Sequence, residues 1–216
     1  MTKTLYRKFD KQGIATLPRV VFSGRIYVIN SESEAEKAVS FLRTQNRVGV
    51  DTETRPSFKR GSTYQVALLQ VSTSDVCFLF RLCEMGLPTC IISLLEDDNV
   101  TKIGLSLTDD WCVLRRRVRF EPRNYIDLQS IAPQLGIADT SLQKLYANLC
   151  GGMISKRQQL SNWQADVLSE AQQLYAATDA WVCIVLYDEM QHLLTTKDYQ
   201  LITNDDTQPT NISASR

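Results

Sequence analysis

Residues 48–53 read Val-Gly-Val-Asp-Thr-Glu, a short apolar run that becomes acidic at its end. Because short apolar runs bounded by turn residues are typical of buried strands, this stretch predicts a central strand. A turn separates it from a second run at residues 64–72, and residues 73–75 form another turn before a third run at residues 76–80. The pattern predicts a meander of three antiparallel strands.

Outside the meander, predicted helices alternate with predicted strands. Further strands are expected at residues 25–29, 99–104 and 124–127, and helices near Ser33, at 91–95, at 109–116, and from Leu128 and Ser141. The last helix is the clearest, with Ser169 as its N-cap and an unbroken pattern to about Leu194. Strands that form a meander and then alternate with helices predict an α/β fold, with a mixed β-sheet flanked by α-helices.

The length of 216 residues suits one substantial domain. We expect an irregular N-terminal extension at residues 1–22, one folded domain at residues 23–197, and a polar, disordered tail at residues 198–216. The sequence contains no uncharged apolar run of about 18 residues, and its first residues lack the apolar core of a signal peptide. The expectation is therefore a cytoplasmic protein without a membrane partner.

The composition narrows the possible chemistry to carboxylates. None of the six cysteines forms a CxxC pair, and the single histidine, His192, argues against a Ser-His-Asp triad or a multi-histidine metal site. The 24 basic and 24 acidic residues balance, so bulk charge does not indicate a nucleic-acid partner. Any nucleic-acid site must depend on local groups of residues.

Asp51 and Glu53 lie two residues apart on the predicted central strand, so both side chains point to the same face. Two carboxylates that project together from a buried strand repel each other and are costly to remove from water. A bound divalent cation would remove both problems. The alternative is that the strand ends here and both side chains point into solvent.

Two further groups of residues carry carboxylates. Tyr175 and Asp179 are four residues apart on the last helix, which stacks their side chains on one face. Asp109 and Asp110 open a helix after a run of small residues. Each group has a structural alternative, because acids at a helix start commonly cap the helix, and Asp179 could lie on the surface beside a core tyrosine.

Taken together and in this order, the motifs resemble those of the DEDDy 3'-5' exonucleases, the group of ribonuclease D and the Werner syndrome protein's exonuclease domain. The resemblance covers residues 17–195. Its motifs are Leu17-Pro18, Phe22 with Gly24, residues 48–53, residues 102–104 with Asp110, residues 161–163, and Leu-Tyr-Ala-Ala-Thr-Asp-Ala at residues 174–180. It implies a ribonuclease H-like sheet.

The resemblance also implies the site residues. Asp51, Glu53, Asp110 and Asp179 would hold two divalent cations, Mg2+ or Mn2+, with Asp51 bridging both, and Tyr175 would orient the attacking water. The spacing from Gly104 and to Leu114 favours Asp110 over Asp109 as the third ligand, although Asp109 stays an alternative. The reaction would be hydrolysis of phosphodiester bonds by a two-metal-ion mechanism.

The implied partner is a nucleic acid with a free 3' end, single-stranded or recessed, with DNA slightly preferred over RNA and nucleoside 5'-monophosphates as products. Candidate substrate-binding residues follow the first motif or precede the last helix: Phe58, Lys59, Arg60, Lys156 and Arg157. For the loop after the first motif the alternative is an ordinary solvated loop. A catalytically silent nucleic-acid-binding module with the same fold is the alternative function.

Overall fold

The computed structural model describes residues 2–58 and 64–203. The strands are β1 (Lys3–Tyr6), β2 (Arg25–Ile29), β3 (Arg47–Thr54), β4 (Val66–Ser72), β5 (Val76–Arg81), β6 (Thr101–Gly104), β7 (Tyr125–Asp127) and β8 (Tyr199–Ile202). The helices are α1 (Lys11–Ile14), α2 (Glu32–Leu42), α3 (Leu82–Met85), α4 (Thr89–Leu95), α5 (Leu107–Leu114), α6 (Leu128–Ile131), α7 (Leu142–Cys150) and α8 (Glu170–Thr196). A 3-10 turn spans Ala132–Leu135.

The main sheet has the strand order β2-β5-β4-β3-β6-β7. β3, β4 and β5 form the predicted antiparallel meander, whereas β2, β6 and β7 each pair in parallel with a neighbour. The prediction of an α/β fold with a mixed sheet is therefore confirmed. β3 is a central strand, because β4 and β6 pair with its two edges.

Helices cover both faces of this sheet. On one face, α2, α4 and α5 enclose a core that contains Val48 and Val50 of β3. On the other face lies α8, whose buried side chains join those of α6 and α7. Because side chains alternate along a strand, the positions of Gly49, between the two valines, and of Asp51, after them, face α8. The alternation in β3 thus places an acidic side chain beside the longest helix.

Helix α8 begins as predicted at Ser169, whose hydroxyl accepts from the Gln172 backbone N–H at 3.3 Å. The Gln172 side chain accepts in turn from the Ser169 backbone N–H at 3.1 Å, which completes a capping box. The helix continues for 27 residues to Thr196. Within the described ranges no helix combines the length and the apolarity that crossing a membrane requires.

The two chain ends differ from the prediction. Residues 1–22 were expected to be irregular and residues 198–216 disordered, yet β1 and β8 form a parallel two-stranded sheet. The reason is burial, because Leu5 is completely buried and Leu201 packs against the same core as α7 and α8. Those expectations are wrong for residues 3–6, for α1 at residues 11–14 and for residues 199–202. Residues 204–216 lie outside the described ranges, and the domain boundaries stay a prediction.

Candidate active site

Two glycines allow the acid-bearing helices to approach β3 closely. A Cβ atom on Gly49 would lie 2.0 Å from the carbonyl oxygen of Ala180, the residue after Asp179 on α8. A Cβ atom on Gly104 would lie 2.6 Å from the carbonyl oxygen of Val50 and closer still to Leu107 at the start of α5. The absence of side chains at these two positions therefore lets both helices bring their acids to the carboxyl-terminal end of β3.

Three carboxylates meet at this end of the sheet. One oxygen each of Asp51, Glu53 and Asp179 lies within 4.8 Å of the others. Glu53 is 9% exposed and Asp179 is 7% exposed. One Asp179 oxygen, Oδ1, is buried without a hydrogen-bond partner among the described residues. This oxygen is therefore available to a ligand, and carboxylate oxygens are the ligands preferred by Mg2+ and Mn2+.

The electrostatics of the cluster support the same conclusion. Burial and then the nearby Asp179 raise the pKa of Asp51 to about 8. Burial, followed by repulsion from Asp51, raises the pKa of Glu53 to about 10, and burial raises the pKa of Asp179 to about 7. Each shift reflects the cost of holding a negative charge here without a cation. The residues present therefore fit a divalent metal.

Asp110 approaches the cluster from α5, on the opposite layer of the fold. The Thr52 hydroxyl, next to Asp51 on β3, donates a hydrogen bond to Asp110 Oδ1. Burial and then Asp51 raise the pKa of Asp110 to about 8. Asp109 is exposed to solvent. Of the two candidates, the structure turns Asp110 toward the three carboxylates.

Asp127 holds the start of α5 in place, a contact that sequence reasoning missed. Its Oδ1 accepts from the Ser106 and Gln129 backbone N–H groups, both at 3.0 Å. Ser106, the residue before α5, has a positive φ of 62°, which is uncommon for a residue other than glycine. Asp127 therefore fixes an unusual turn from which α5 presents Asp110.

Tyr175 lies one helical turn before Asp179 on α8, as its spacing predicted. Its hydroxyl hydrogen-bonds to Asp179, which lowers the pKa of that carboxyl against the effect of burial. Burial and then the charge of Asp179 raise the pKa of Tyr175 itself, so the phenol stays protonated. Its ring packs against Trp163, with 5.8 Å between the ring centroids. Tyr175 is therefore a fixed hydrogen-bond donor beside the acids.

The candidate substrate-binding residues have different positions. Lys156 lines a cavity of about 290 Å3 together with Asp51, Glu53, Tyr175 and Asp179, and its charge lowers the pKa of Asp179. We call this the acidic cavity. Arg157 lines a smaller neighbouring cavity, also bordered by Tyr175 and Asp179. Phe58 is 87% exposed and lines neither cavity, and Lys59 and Arg60 lie outside the described residues.

The loop that carries Lys156 and Arg157 is held by hydrogen bonds at its C-terminal end. Buried Arg81 donates from Nη2 to the Ala165 carbonyl at 2.5 Å. Gln172 donates from Nε2 to the Ser161 hydroxyl at 3.0 Å and to the Asn162 carbonyl at 3.1 Å. Trp163 is completely buried, so it packs in the core rather than stacking on a base. The motif at residues 161–163 therefore anchors the loop to the sheet and to α8.

Comparison with known families agrees with this geometry. Residues 26–195 match the model of a family described as 3'-5' exonuclease. The chain is 30% identical over 187 residues to the bifunctional 3'-5' exonuclease/ATP-dependent helicase WRN of Mus musculus, a match that covers 82% of this chain and 13% of that protein. A 3'-5' exonuclease of Arabidopsis thaliana is 29% identical over 210 residues, which cover 89% of this chain and 73% of that protein.

The fold has counterparts among solved structures. Escherichia coli RNase D, an exoribonuclease involved in structured RNA processing, superposes with a TM-score of 0.68 at 19% identity. The match covers 82% of this chain and 51% of that one. At this identity the similarity shows the fold, and it confirms the expected ribonuclease H-like arrangement.

Proposed function

Because the chain belongs to the 3'-5' exonuclease family, we propose that it removes nucleotides one at a time from the 3' end of a nucleic acid. The observation that carries the proposal is the group of half-buried Asp51 with buried Glu53 and Asp179 and its unpaired oxygen, completed by Asp110 from the opposite layer. The chain spans only 13% of the length of its mouse relative, so the proposal concerns this chain alone.

Asp51, Glu53, Asp110 and Asp179 would together hold two divalent cations, Mg2+ or Mn2+. Such cations supply an activated water and stabilise charge on the phosphate and on the leaving 3'-oxygen. Asp51 lies between Asp179 on α8 and Asp110 on α5. It would therefore be the residue best placed to bind both cations. Thr52 and Asp127 orient Asp110.

Tyr175 would hold the attacking water. A phenol with a raised pKa is a poor base at neutral pH, but while its one O–H donates to Asp179 its oxygen can accept a hydrogen bond from the water. Its contacts with Asp179 and Trp163 keep it in one orientation, which reduces the entropy cost of placing the water in line with the scissile bond. Lys156, in the acidic cavity, would bind a phosphate oxygen of the terminal nucleotide.

The proposed substrate is a single-stranded or recessed 3' end, and the products are nucleoside 5'-monophosphates. We propose DNA as slightly preferred over RNA because of the sequence similarity to the exonuclease/helicase WRN, although the chemistry needs no 2'-hydroxyl.

We also propose a cytoplasmic location. The six cysteines are free thiols, which suits a reducing compartment such as the cytoplasm.

Degradation of 5'-labelled oligonucleotides tests the proposal. Single-stranded DNA, recessed duplex DNA and RNA are compared side by side with Mg2+, Mn2+ or a chelator. We expect a ladder of products shortened from the 3' end that requires a divalent cation and is lost in Asp51→Asn and Asp179→Asn. Binding without shortening under either cation would favour the silent binding module, and equal activity in the two variants would contradict the assigned site.

A further inference from the structure

The smaller cavity beside the active site has a basic lining. Its volume is about 170 Å3. It shares four lining residues with the acidic cavity: Ile154, Ser155, Tyr175 and Asp179. Its other charged lining residues are Arg19 and Arg157. The two cavities therefore adjoin at the Tyr175–Asp179 pair, with carboxylates concentrated in one and guanidinium groups in the other.

Both arginines are free to bind an anion. Within residues 2–58 and 64–203, neither Arg19 nor Arg157 makes an ion pair or a side-chain hydrogen bond. Other exposed arginines, such as Arg47 and Arg123, pair with carboxylates. Two unpaired cations that line one small cavity repel each other, so an anion between them would be favourable.

The backbone that carries Arg19 is fixed in place. Val20 donates its N–H to the Met153 carbonyl at 3.0 Å, and Met153 donates to the Pro18 carbonyl at 2.9 Å. The Phe22 N–H donates to the Thr178 hydroxyl on α8 at 3.0 Å. The segment before β2 is therefore tied both to the loop that carries Arg157 and to the helix that carries Tyr175. Arg19 thus has a defined position beside the active site although its side chain is exposed.

The polarity of an exonuclease substrate decides which anion can lie here. A strand that is cut one nucleotide from its 3' end carries all its other phosphates on the 5' side of the scissile bond. If the scissile phosphate lies at the carboxylates, the next phosphodiester is the anion that can reach the adjoining basic cavity. Arginine is well suited to it, because a guanidinium can donate two parallel hydrogen bonds to a phosphate.

We infer that Arg19, together with Arg157, binds the phosphodiester immediately 5' to the scissile bond. The inference rests on the proposed function and extends it to a residue outside the catalytic group. Contacts to phosphate position a strand without recognising its bases, so this site would bind strands of any nucleotide sequence. Arg19 acts on substrate binding and leaves the chemical step unchanged.

The test compares two decanucleotides labelled at the 3' end, identical except at the second linkage from that end. One has the normal phosphodiester there and the other an uncharged methylphosphonate. We expect the unaltered protein to release the first nucleotide with a KM roughly 5-fold higher on the uncharged substrate, the scale of one partly exposed ion pair. The double variant Arg19→Gln, Arg157→Gln should show that increase already on the normal substrate and no further increase on the uncharged one, with kcat unchanged, and Arg19→Gln alone should show part of the increase on each substrate.

Three comparisons make the outcome decisive. Arg7→Gln, a matched loss of charge at an exposed arginine that lines neither cavity, should behave like the unaltered protein. Arg19→Lys should retain part of the preference because it keeps the charge. Independent, additive losses from the double variant and from the methylphosphonate would overturn the inference, as would no loss from Arg19→Gln or from the methylphosphonate. Failure of the unaltered protein to degrade any oligonucleotide would instead overturn the proposed function.

Discussion

Asp110 and Asp109 are neighbours in the first turn of α5, but their side chains have different surroundings. Asp110 accepts a hydrogen bond from Thr52 and is close enough to Asp51 for its pKa to rise. Asp109 is exposed. At a helix start, adjacent side chains point about 100° apart, since the helix has 3.6 residues per turn. Only one of two adjacent acids can therefore face the carboxylates.

Substitution of these two residues gives a matched pair. We expect Asp110→Asn to lower kcat by roughly 100-fold or more, the scale of losing one electrostatic stabiliser in an active site. Asp109→Asn should stay within about twofold of the unaltered protein, as surface substitutions usually do. Single-turnover release of a 3'-labelled nucleotide measures both. A larger loss in Asp109→Asn than in Asp110→Asn would assign the third ligand to Asp109.

Tyr175→Phe tests the hydroxyl separately from the ring. The ring contact with Trp163 can persist, whereas the hydrogen bond to Asp179 and the proposed hydrogen bond with the water are lost. We expect kcat to fall roughly 100-fold, the lower range for a positioned proton donor or acceptor. The affinity for Mn2+, measured by calorimetry, should change little because the four carboxylates remain. Loss of Mn2+ binding in this variant would mean that Tyr175 acts by shaping the metal site.

At the scale of elements, the site depends on how closely two helices approach one strand. Gly49 makes room for the backbone of α8, and Gly104 makes room for Val50 and for the start of α5. A Cβ atom at Gly49 would meet the Ala180 carbonyl, and one at Gly104 would meet the Leu107 side chain and the Val50 carbonyl; the backbone carbonyls cannot rotate away. The distance between the acids of α8, β3 and α5 is therefore set by glycine as much as by the acids themselves.

Gly49→Ala should separate α8 from β3. Overpacking of a filled core costs about 1–3 kcal/mol, so we expect the free energy of unfolding in urea to fall by that amount. Nuclease activity should fall further than stability at temperatures where the variant is folded, because Asp179 moves relative to Asp51. Gly13→Ala is the control, since its Cβ would meet nothing nearer than 4.0 Å. Equal stability and activity in the two variants would contradict the close-approach argument.

At the scale of the whole molecule, four carboxylates from both layers are gathered at one end of the sheet in a chain with no net charge. Burial raises the folded-state pKa of all four, and repulsion from neighbouring carboxylates adds to the rise for Asp51, Glu53 and Asp110. Without cations the folded protein therefore binds more protons than the unfolded chain. Its stability should fall as pH rises from the ordinary carboxyl range through about 8, the raised pKa of Asp51 and Asp110, and on toward about 10, the raised pKa of Glu53.

Divalent cations should reverse this loss. Because metal binding requires deprotonated ligands, stabilisation by Mn2+ should be small near pH 5 and larger near pH 8. We expect the increase in Tm on adding Mn2+ to be at least about 3 °C greater at the higher pH, which corresponds to roughly 1 kcal/mol for a chain of this size. Thermal unfolding with and without Mn2+ measures it.

The double variant Asp51→Asn, Asp179→Asn is the control for the cluster. Removing two of the charges should weaken both the pH dependence of the metal-free protein and the stabilisation by Mn2+. If the double variant gains as much Tm from Mn2+ as the unaltered protein does, the cation binds elsewhere.

The sequence by itself determined the local elements and the chemistry of the candidate site. The alternation of β3, the capping of α8 at Ser169 and the spacing of Tyr175 and Asp179 are short-range patterns, and the structure confirms the elements that they predict. Such patterns are readable because side-chain direction depends on a few neighbouring residues. The family motifs likewise identified the acids that the fold brings together.

Only the tertiary structure decided the features that depend on distant segments. The pairing of β1 with β8 joins the two ends of the described chain, and four-residue strands give too weak a local signal to predict it. The turn of Asp110 toward Asp51, the close approach permitted by Gly49 and the position of Arg19 beside Tyr175 are likewise contacts between separate elements. The physical reason is that burial and mutual packing, rather than local propensity, set where such segments lie.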